Sequence, residues 1–320
     1  MENKQKETFR ILVLGIGGVG GYFGGKLAAR YAGDAAVEVG FFARGAHAAR
    51  IAEGGLQLQT TQGDLVAHPA YVTYDPTALQ PVDLLICCVK SYDLEESLQR
   101  VQPAIGKSTI ILPLLNGVDA PARIAQLFPE AQIWEGCVYV VARLAAPGVV
   151  KESGGIGRLY FGAADAAEAK LRQVEHIFQA ADFQAEIALD IQQTIWTKFL
   201  FISAVATATS YLDTSMGAIV AQPEQKQLLQ ALLEELQAVA RAKGILLPND
   251  LLPTMLSRMA SLPYEATSSM HSDFQKGGKT ELESLTGYVV REGQRLQVPV
   301  PTYARLYAAL QQQSQANKST

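Results

Sequence analysis

Short apolar runs separated by helix-compatible stretches dominate the first half of the chain. Four of these runs are apolar enough to be strands buried on both faces: residues 11–14 (ILVL), 37–43 (VEVGFFA), 83–89 (DLLICCV) and 109–115 (TIILPLL). Residues 22–31, which follow the first run, are compatible with a helix. This strand–helix alternation predicts a doubly wound α/β domain with a parallel sheet.

Residues 138–161 follow a different pattern. β-rich runs there flank the pairs Pro147–Gly148 and Gly154–Gly155, which are typical of turns. We therefore expect antiparallel, hairpin-like strands in this part of the chain.

Helical periodicity replaces the strand pattern after about residue 190. Asp190 and Gln193 fit a capping box, which predicts that a long helix begins there and covers residues 191–210. Leucines at helical spacing between Leu228 and Ala242 predict another helix. Its apolar stripe is interpreted either as helix core or as a subunit contact, and in the second case the chain would form a homodimer.

The change of pattern divides the chain into two expected domains. Residues 1–189 form the α/β domain and residues 190–320 a mostly α-helical domain, in which residues 280–296 and 302–313 predict the last two helices. A length of 320 residues fits two domains of about 150 residues each.

Composition and charge exclude several classes of protein. Lys and Arg number 27 against 31 Asp and Glu, a net charge of −4, so a broad nucleic-acid surface is not expected. Three cysteines are too few for a disulfide framework, and the four histidines lack metal-ligand spacing, so no metal is expected. No apolar run approaches about 18 residues, and the polar start MENKQKETFR lacks a signal-peptide core. The expectation is a cytoplasmic protein without a membrane partner.

A glycine-rich loop follows the first predicted strand and opens the first helix. It consists of Gly15, Ile16, Gly17, Gly18, Val19 and Gly20 and fits G-x-G-x-x-G. In this context the first glycine permits the tight turn, the second a close approach to a pyrophosphate, and the third close helix–strand packing. The loop therefore predicts a Rossmann-type dinucleotide site, and the alternative is a glycine-rich turn without a ligand.

Arg44 indicates which dinucleotide is bound. NAD sites place an acidic residue after the second strand, where it binds the ribose 2′-hydroxyl. Residues 43–49 contain no acid, and Arg44 is suited to pair with a 2′-phosphate. NADPH/NADP+ is the expected cofactor, unless Arg44 is only a surface residue.

Several ordered motifs resemble the ketopantoate reductase (2-dehydropantoate 2-reductase) family. The likeness covers about residues 10–312 and rests on the segments GIGGVGG, FFARGAH, CCVKSYD, LLNGVD, IWTKF and SSMHSDFQKGGKTELESLTGYVV. It implies a Rossmann domain followed by a helical domain, with the active site in the cleft. It also implies NADPH-dependent reduction of 2-dehydropantoate to pantoate, a step toward pantothenate and coenzyme A.

The resemblance also assigns roles to individual residues. Lys198 matches the catalytic lysine, Glu281 the glutamate that holds substrate and orients the site, and Asn116 the asparagine beside nicotinamide and lysine. Ser269 matches the serine that contacts the substrate carboxylate. Lys90 and Arg44 match cofactor-contacting positions.

Two positions after Lys198 depart from the family pattern. Asparagines that touch the substrate commonly stand four and eight residues after the catalytic lysine, but here these positions hold Ile202 and Ala206. Residues i, i+4 and i+8 share one face of a helix, so the face beside Lys198 is apolar. We expect altered recognition of the substrate's polar groups. Whether Ser203 or Thr207 compensates is left open by the sequence.

The same residues have interpretations that involve no ligand. Lys198 lies in an apolar segment, where a lysine is costly unless it is functional or extends to the surface. Glu281 also fits a carboxylate at a helix N-terminus, and Asn116 also fits a turn. Lys90 ends a strand at the edge where open α/β sheets bind ligands.

Three functions remain as hypotheses. The first is an NADPH-dependent ketopantoate reductase that takes a proton from Lys198. The second keeps the chemistry but reduces a different, less polar 2-oxo acid. The third is a dinucleotide-binding regulatory protein without activity, against which Lys198, Asn116 and Glu281 together argue.

Overall fold

A computed structural model describes residues 8–316 and divides the chain into two units. The first unit comprises residues 1–115 and 120–191, and the second comprises residues 116–119 and 192–320. The four-residue segment Asn116–Asp119 thus belongs to the second unit although it lies within the sequence of the first. The absence of a signal sequence was predicted mainly from residues 1–7, which lie outside the described residues.

The first unit contains all strands of the described chain and five of its α-helices. The strands are β1 (Phe9–Leu14), β2 (Val37–Phe42), β3 (Leu56–Gln59), β4 (Leu65–Ala67), β5 (Tyr71–Thr73), β6 (Leu84–Cys87), β7 (Ile110–Pro113), β8 (Gln132–Ile133), β9 (Glu135–Ala146), β10 (Val149–Gly162) and β11 (Gln184–Ile187). The helices are α1 (Gly18–Arg30), α2 (Gly45–Gly54), α3 (Leu94–Arg100), α4 (Ala120–Leu127) and α5 (Glu168–Ala180).

A six-stranded parallel sheet forms the centre of this unit, in the order β5-β2-β1-β6-β7-β8. Successive residues of a strand point to opposite faces, and both faces of β1 are covered. Ile11 and Val13 pack into the cluster that contains α1, whereas Leu12 and Leu14 pack into the cluster that contains α3 and α4. This double burial explains the continuous apolar runs in the sequence and confirms the predicted α/β fold.

The antiparallel pair expected over residues 138–161 is also confirmed. It is β9 paired with β10, and it is longer than predicted, extending from Glu135 to Gly162. β10 also pairs in parallel with β3 and β11, and β3 pairs with β4, so the hairpin is part of a second, five-stranded sheet.

The second unit is helical, as predicted. Its helices are α6 (Ile191–Leu212), α7 (Met216–Ala221), α8 (Pro223–Ala242), α9 (Leu251–Ala260), α10 (Ser269–Gln275), α11 (Tyr288–Leu296) and α12 (Pro301–Ala316). The leucine stripe of α8 is buried within this unit except for the half-buried Leu228, because Leu229, Leu232 and Leu236 belong to its core. The stripe is therefore helix core, and it gives no support to a subunit contact.

Helix α6 is the one helix in the described chain that is long and apolar enough to cross a membrane. Its most apolar stretch is 61% buried inside the protein, as expected for the central helix of a globular unit. Phe199, Leu200 and Ala204 contribute to the core there.

The helix predicted over residues 280–296 is not uniform. A π-helical turn, Glu283–Gly287, precedes α11. Polar side chains of α6 hold this turn, since Ser203 Oγ donates to the Leu285 carbonyl at 2.7 Å and Thr207 Oγ1 lies 2.8 Å from Thr286 Oγ1. π-turns frequently mark functional sites. The apolar periodicity of the sequence does not predict these contacts, because they join residues about 80 positions apart.

Candidate active site

The glycine loop forms the tight turn between β1 and α1. Gly15 has φ +88°, a left-handed conformation that glycine adopts without strain. A Cβ at Gly20 would lie 2.1 Å from the Gly15 carbonyl oxygen, and a Cβ at Gly18 would lie 2.1 Å from the Ala142 carbonyl oxygen of β9. Gly18 and Gly20 are therefore needed for packing within the first unit.

Gly17 faces open space instead. No heavy atom of the described chain, beyond its immediate neighbours, lies within 4 Å of the position that a Cβ would occupy there. Gly17 is also the residue from which α1 begins, where backbone N–H groups lack partners within the helix. This is the geometry that lets an anion approach the backbone closely.

A pocket of about 420 Å³ lies beside the loop. Of the predicted cofactor residues, Gly15, Ile16, Gly17, Arg44 and Lys90 line it. Gly18, Val19 and Gly20 do not, because they lie in the first turn of α1 and pack inward. Asn116 belongs to the second unit.

Arg44 stands at the pocket where α2 begins. It is exposed, its backbone is extended (φ −129°, ψ 161°), and it directly follows Ala43 at the carboxyl end of β2. Lys90 follows β6 at the same edge of the sheet. Arg44 and Lys90, the two cationic residues that were predicted to contact the cofactor, thus both line the pocket.

Tyr74 and Arg100, which the sequence did not predict, also line this pocket. The Arg100 guanidinium lies 4.8 Å from the centre of the Tyr74 ring and donates to its hydroxyl. The Tyr74 ring in turn lies 5.2 Å from that of Phe42. Tyr74 directly follows β5, which pairs with β2, and Arg100 ends α3, so both residues reach the pocket only through the fold.

His47, to which the sequence assigned no role, also lines this pocket. Its Nδ1 accepts a hydrogen bond of 2.8 Å from the Gly148 backbone N–H in the turn between β9 and β10. Burial lowers the pKa of His47, and the Ile16 backbone opposes part of this change. The imidazole is therefore neutral at neutral pH and joins α2 to the β9–β10 turn next to the glycine loop.

A second group of predicted residues meets in the second unit. Lys198 of α6 donates from Nζ to Asn116 Oδ1 at 3.0 Å. Gly117, with φ +99°, turns the chain just after Asn116 and lies against Ser284, since a Cβ at Gly117 would be 3.5 Å from the Ser284 carbonyl oxygen. The Asn116–Gly117 turn thus contacts both α6 and the π-helical turn.

Glu281 lies just before that π-helical turn and is only 3% exposed. A glutamate that merely begins a helix at the surface would be solvated, whereas a carboxylate buried this deeply requires polar partners. Its backbone carbonyl accepts from Leu285 N–H at 3.0 Å and from Ser284 Oγ at 3.2 Å. These bonds fix the turn that carries Glu281.

The apolar positions after Lys198 differ in accessibility. Ile202 is half-buried, whereas Ala206 is 2% exposed and belongs to the core of the second unit. Ser203 and Thr207 are fully buried, and both bond to the segment 285–286. Their hydroxyls therefore stabilise the π-helical turn, and we find no sign that they replace the family's asparagines.

Two further observations concern thiols and metals. Burial raises the pKa of the Cys87 thiol to about 12 and that of Cys88 well above its usual value, so both thiols are protonated at neutral pH. In residues 8–316 there is no group of three His, Cys, Asp or Glu side chains placed to hold a metal ion.

Comparison with known families accounts for both units. Residues 11–166 match the family model described as Ketopantoate reductase PanE/ApbA, and residues 190–314 match the model of its C-terminal part. The chain belongs to the ketopantoate reductase family.

Individual relatives support the same conclusion. A 2-dehydropantoate 2-reductase from Halobacterium salinarum is 30% identical over 305 residues, which cover 93% of this chain and 96% of the relative. The crystal structure of 2-dehydropantoate 2-reductase from Porphyromonas gingivalis W83 is 37% identical, with a TM-score of 0.82 and coverage of 95% and 99%.

The fold also occurs in an enzyme with another name. A structure of D-mandelate dehydrogenase with NADH and anilino(oxo)acetate superposes with a TM-score of 0.85 at 24% identity and covers 97% of this chain and 100% of that one. At this identity the likeness concerns the fold alone. Membership of the ketopantoate reductase family makes the chain a dinucleotide-binding oxidoreductase that acts on small 2-oxo acids.

Proposed function

We propose that the protein reduces 2-dehydropantoate to (R)-pantoate with NADPH, in pantothenate and coenzyme A biosynthesis. The observation that carries this proposal is the hydrogen bond between Lys198 and Asn116, which stand 82 positions apart at motif positions matching the family's catalytic lysine and its neighbouring asparagine. Glu281 lies buried on the turn that Asn116–Gly117 contacts. The alternative of an inactive regulatory protein has no comparable support.

The first unit fits the cofactor. Gly17 leaves room for a pyrophosphate against the start of α1, and Arg44 lines the same pocket with an exposed guanidinium. A guanidinium pairs with a 2′-phosphate in a charge-assisted, bidentate manner, and this supports NADPH rather than NADH. When bound, NADPH supplies the hydride.

The second unit supplies the proton. Lys198 Nζ is positioned by Asn116 Oδ1, and Lys198 lies between the buried side chains of Trp196 and Phe199 in sequence. We assign to Lys198 the transfer of a proton to the carbonyl oxygen of the substrate as the carbonyl carbon is reduced. Ser269, exposed at the start of α10, contacts the substrate carboxylate, and Glu281 holds the substrate and orients the site.

A panel of 2-oxo acids tests this function. We expect kcat/KM with NADPH to be highest for 2-dehydropantoate, compared with 2-oxo acids of similar size that lack its hydroxyl. Initial rates are measured by the loss of NADPH absorbance, and the same panel is repeated with NADH. If another 2-oxo acid is reduced more efficiently, the substrate assignment is wrong. Absence of turnover together with tight NADPH binding would instead favour the regulatory protein.

A second candidate function is the reduction of a less polar 2-oxo acid. The observation that favours it is that Ile202 and Ala206 make the helix face beside Lys198 apolar, where the family commonly has two asparagines. Ile202 is the more accessible of the two apolar positions. A site without these amides offers fewer partners for the hydroxyl of 2-dehydropantoate, which lowers discrimination in favour of that substrate.

The substitution Ile202→Asn distinguishes the two candidates. We expect it to raise kcat/KM for 2-dehydropantoate relative to a 2-oxo acid without the hydroxyl. The gain should correspond to about 1–3 kcal/mol of transition-state binding, the contribution of one buried hydrogen bond. Ile202→Leu is the matched control, because it keeps the position apolar and of similar volume. Thermal melts of both variants establish that they are folded. An unchanged substrate ratio in a folded Ile202→Asn variant would show that position 202 does not contact the substrate.

Two broader expectations accompany the function. We propose a cytoplasmic location, which the free cysteines Cys87, Cys88 and Cys137 suit, since disulfides are rare in a reducing compartment. The homodimer stays a prediction, to which the buried stripe of α8 adds no support.

A further inference from the structure

A buried histidine in the second unit has no part in the function proposed above. The side chain of His271 in α10 is 5% exposed, and both of its ring nitrogens have partners. Nε2 lies 2.7 Å from Asp213 Oδ1, and Nδ1 lies 2.5 Å from Thr267 Oγ1. A neutral imidazole satisfies both contacts when Nε2–H donates to the carboxylate and Nδ1 accepts from the hydroxyl.

Asp213 is the residue that directly follows α6. Its backbone is left-handed, with φ +46°, and its side chain is 69% exposed. The hydrogen bonds from His271 and Gln275 lower the pKa of its carboxyl group, so it is ionised over the neutral range. His271 therefore joins the end of α6 to residue Thr267, which precedes α10.

Two more bonds join the same segment to α6 and α10. Thr209 Oγ1 of α6 lies 2.9 Å from Ser268 Oγ. Ser268 Oγ also accepts from the backbone N–H of His271 at 3.0 Å, as a helix N-cap does. Hydrogen bonds to α6 and to α10 thus both hold Ser268, the central residue of the turn Thr267–Ser269.

Helix α7 supports the chain just before this turn. The N–H groups of Met216 and Gly217 donate to the carbonyls of Ala266 (2.8 Å) and Tyr264 (2.9 Å). A Cβ at Gly217 would lie 2.6 Å from the Tyr264 Cα, so the two backbones are in close contact. Residues 264–266 therefore have little freedom, and the segment that depends on side-chain bonds is Thr267–Ser269.

We propose that His271 is a positioning residue for the substrate, which holds Ser269 at a fixed distance from Lys198. Helix α6 connects Lys198 to the anchors of this turn, because Lys198 and Thr209 are part of the helix and Asp213 directly follows it. A helix has a constant rise of about 1.5 Å per residue and so acts as a rigid spacer. The inference rests on the proposed function, which places Ser269 at the substrate carboxylate.

The consequence should appear in substrate binding. Without the His271 bonds the turn gains conformations, and the Ser269 hydroxyl reaches the carboxylate in only some of them. The proton donor Lys198 and the cofactor pocket contain no part of this network. A raised KM for the 2-oxo acid with unchanged kcat is therefore the expected signature.

A double-mutant cycle tests this relation. We expect His271→Leu to raise KM for the 2-oxo acid about 5–30-fold, with kcat and NADPH affinity within about twofold of the parent. In a Ser269→Ala background the same change should have no further effect on KM, because the residue that it positions is gone. His176→Leu, at an exposed histidine of α5, is the matched control and should leave KM unchanged.

Two additional variants and one direct measurement complete the test. His271→Gln keeps a donor for Asp213 and should recover part of the lost affinity. Asp213→Gly removes the carboxylate but tolerates the left-handed backbone, so it tests the same link if His271→Leu does not fold. Hydrogen exchange of residues 267–269 should be faster in both His271→Leu and Asp213→Gly, a result that requires no substrate.

The outcomes separate this inference from the proposed function. If Ser269→Ala raises KM but His271→Leu and Asp213→Gly do not, the positioning role of His271 is wrong and the function stands. If His271→Leu raises KM equally with and without Ser269, His271 does not act through Ser269. If hydrogen exchange is faster but Ser269→Ala has no effect on KM, the substrate contact of Ser269 is wrong, and with it the positioning role.

Discussion

Replacing Lys198 with alanine is expected to lower kcat by about 10²–10⁴-fold, the usual contribution of a positioned proton donor. The reason is that Lys198 Nζ, held 3.0 Å from Asn116 Oδ1, is the assigned source of the proton for the substrate carbonyl. Lys198 does not line the cofactor pocket of the first unit, so NADPH affinity should stay within about twofold. Steady-state rates on the best substrate of the panel, together with NADPH titrations by fluorescence, measure both quantities.

Lys226→Ala provides the matched control for this prediction. Lys226 is an exposed lysine on α8 of the same unit, and its removal should change neither kcat nor KM. A Lys198→Ala variant that is folded and keeps a near-normal kcat would exclude Lys198 as the proton donor. The family assignment would be unaffected, since it rests on the sequence matches of both units.

The second large effect is expected at Arg44. Arg44→Ala should weaken NADPH binding by about 1.5–3 kcal/mol, the contribution of a charged hydrogen bond. This corresponds to about 10–150-fold in Kd. NADH lacks the 2′-phosphate, so its Kd should change little. Titrations of both cofactors into the parent and the variant measure the two changes.

Arg50→Ala is the control on the same helix. Arg50 is exposed, pairs with Glu53 at 3.3 Å and does not line the pocket, so its loss should leave both affinities unchanged. Equal losses of NADPH and NADH affinity in Arg44→Ala would remove the 2′-phosphate role. They would point instead to a contact with a part that the two cofactors share.

The amino-acid sequence by itself determined the four strands β1, β2, β6 and β7 of the central sheet and the position of the glycine loop. These features depend on residues that are neighbours in the chain. A strand requires an apolar run of four to seven residues, and the glycine loop requires a glycine with positive φ and a helix that begins within six positions of the strand's end. Because both faces of β1 are covered, its apolar residues are continuous and easily recognised. Resemblance to a family then placed Lys198, Asn116, Glu281 and Ser269 at motif positions.

The helical unit was predicted less completely. Periodicity identified α6, α8 and α12, because each presents a long apolar face to the core. It could not distinguish core from subunit contact for the stripe of α8, since burial against the same chain or a second copy requires the same residues. It also missed the π-helical turn, which Ser203 and Thr207 hold by contacts between distant segments.

Only the tertiary structure decided which atoms of the functional candidates are in contact. The Lys198–Asn116 bond spans 82 positions and the His271–Asp213 bond spans 58, and Arg100 reaches Tyr74 across 26. Contacts of this kind depend on how whole helices and strands pack, so the spacing of residues within a short segment of the sequence does not predict them. The physical reason is that secondary structure is selected by short-range backbone and burial preferences, whereas a site is assembled by the closure of long loops between elements.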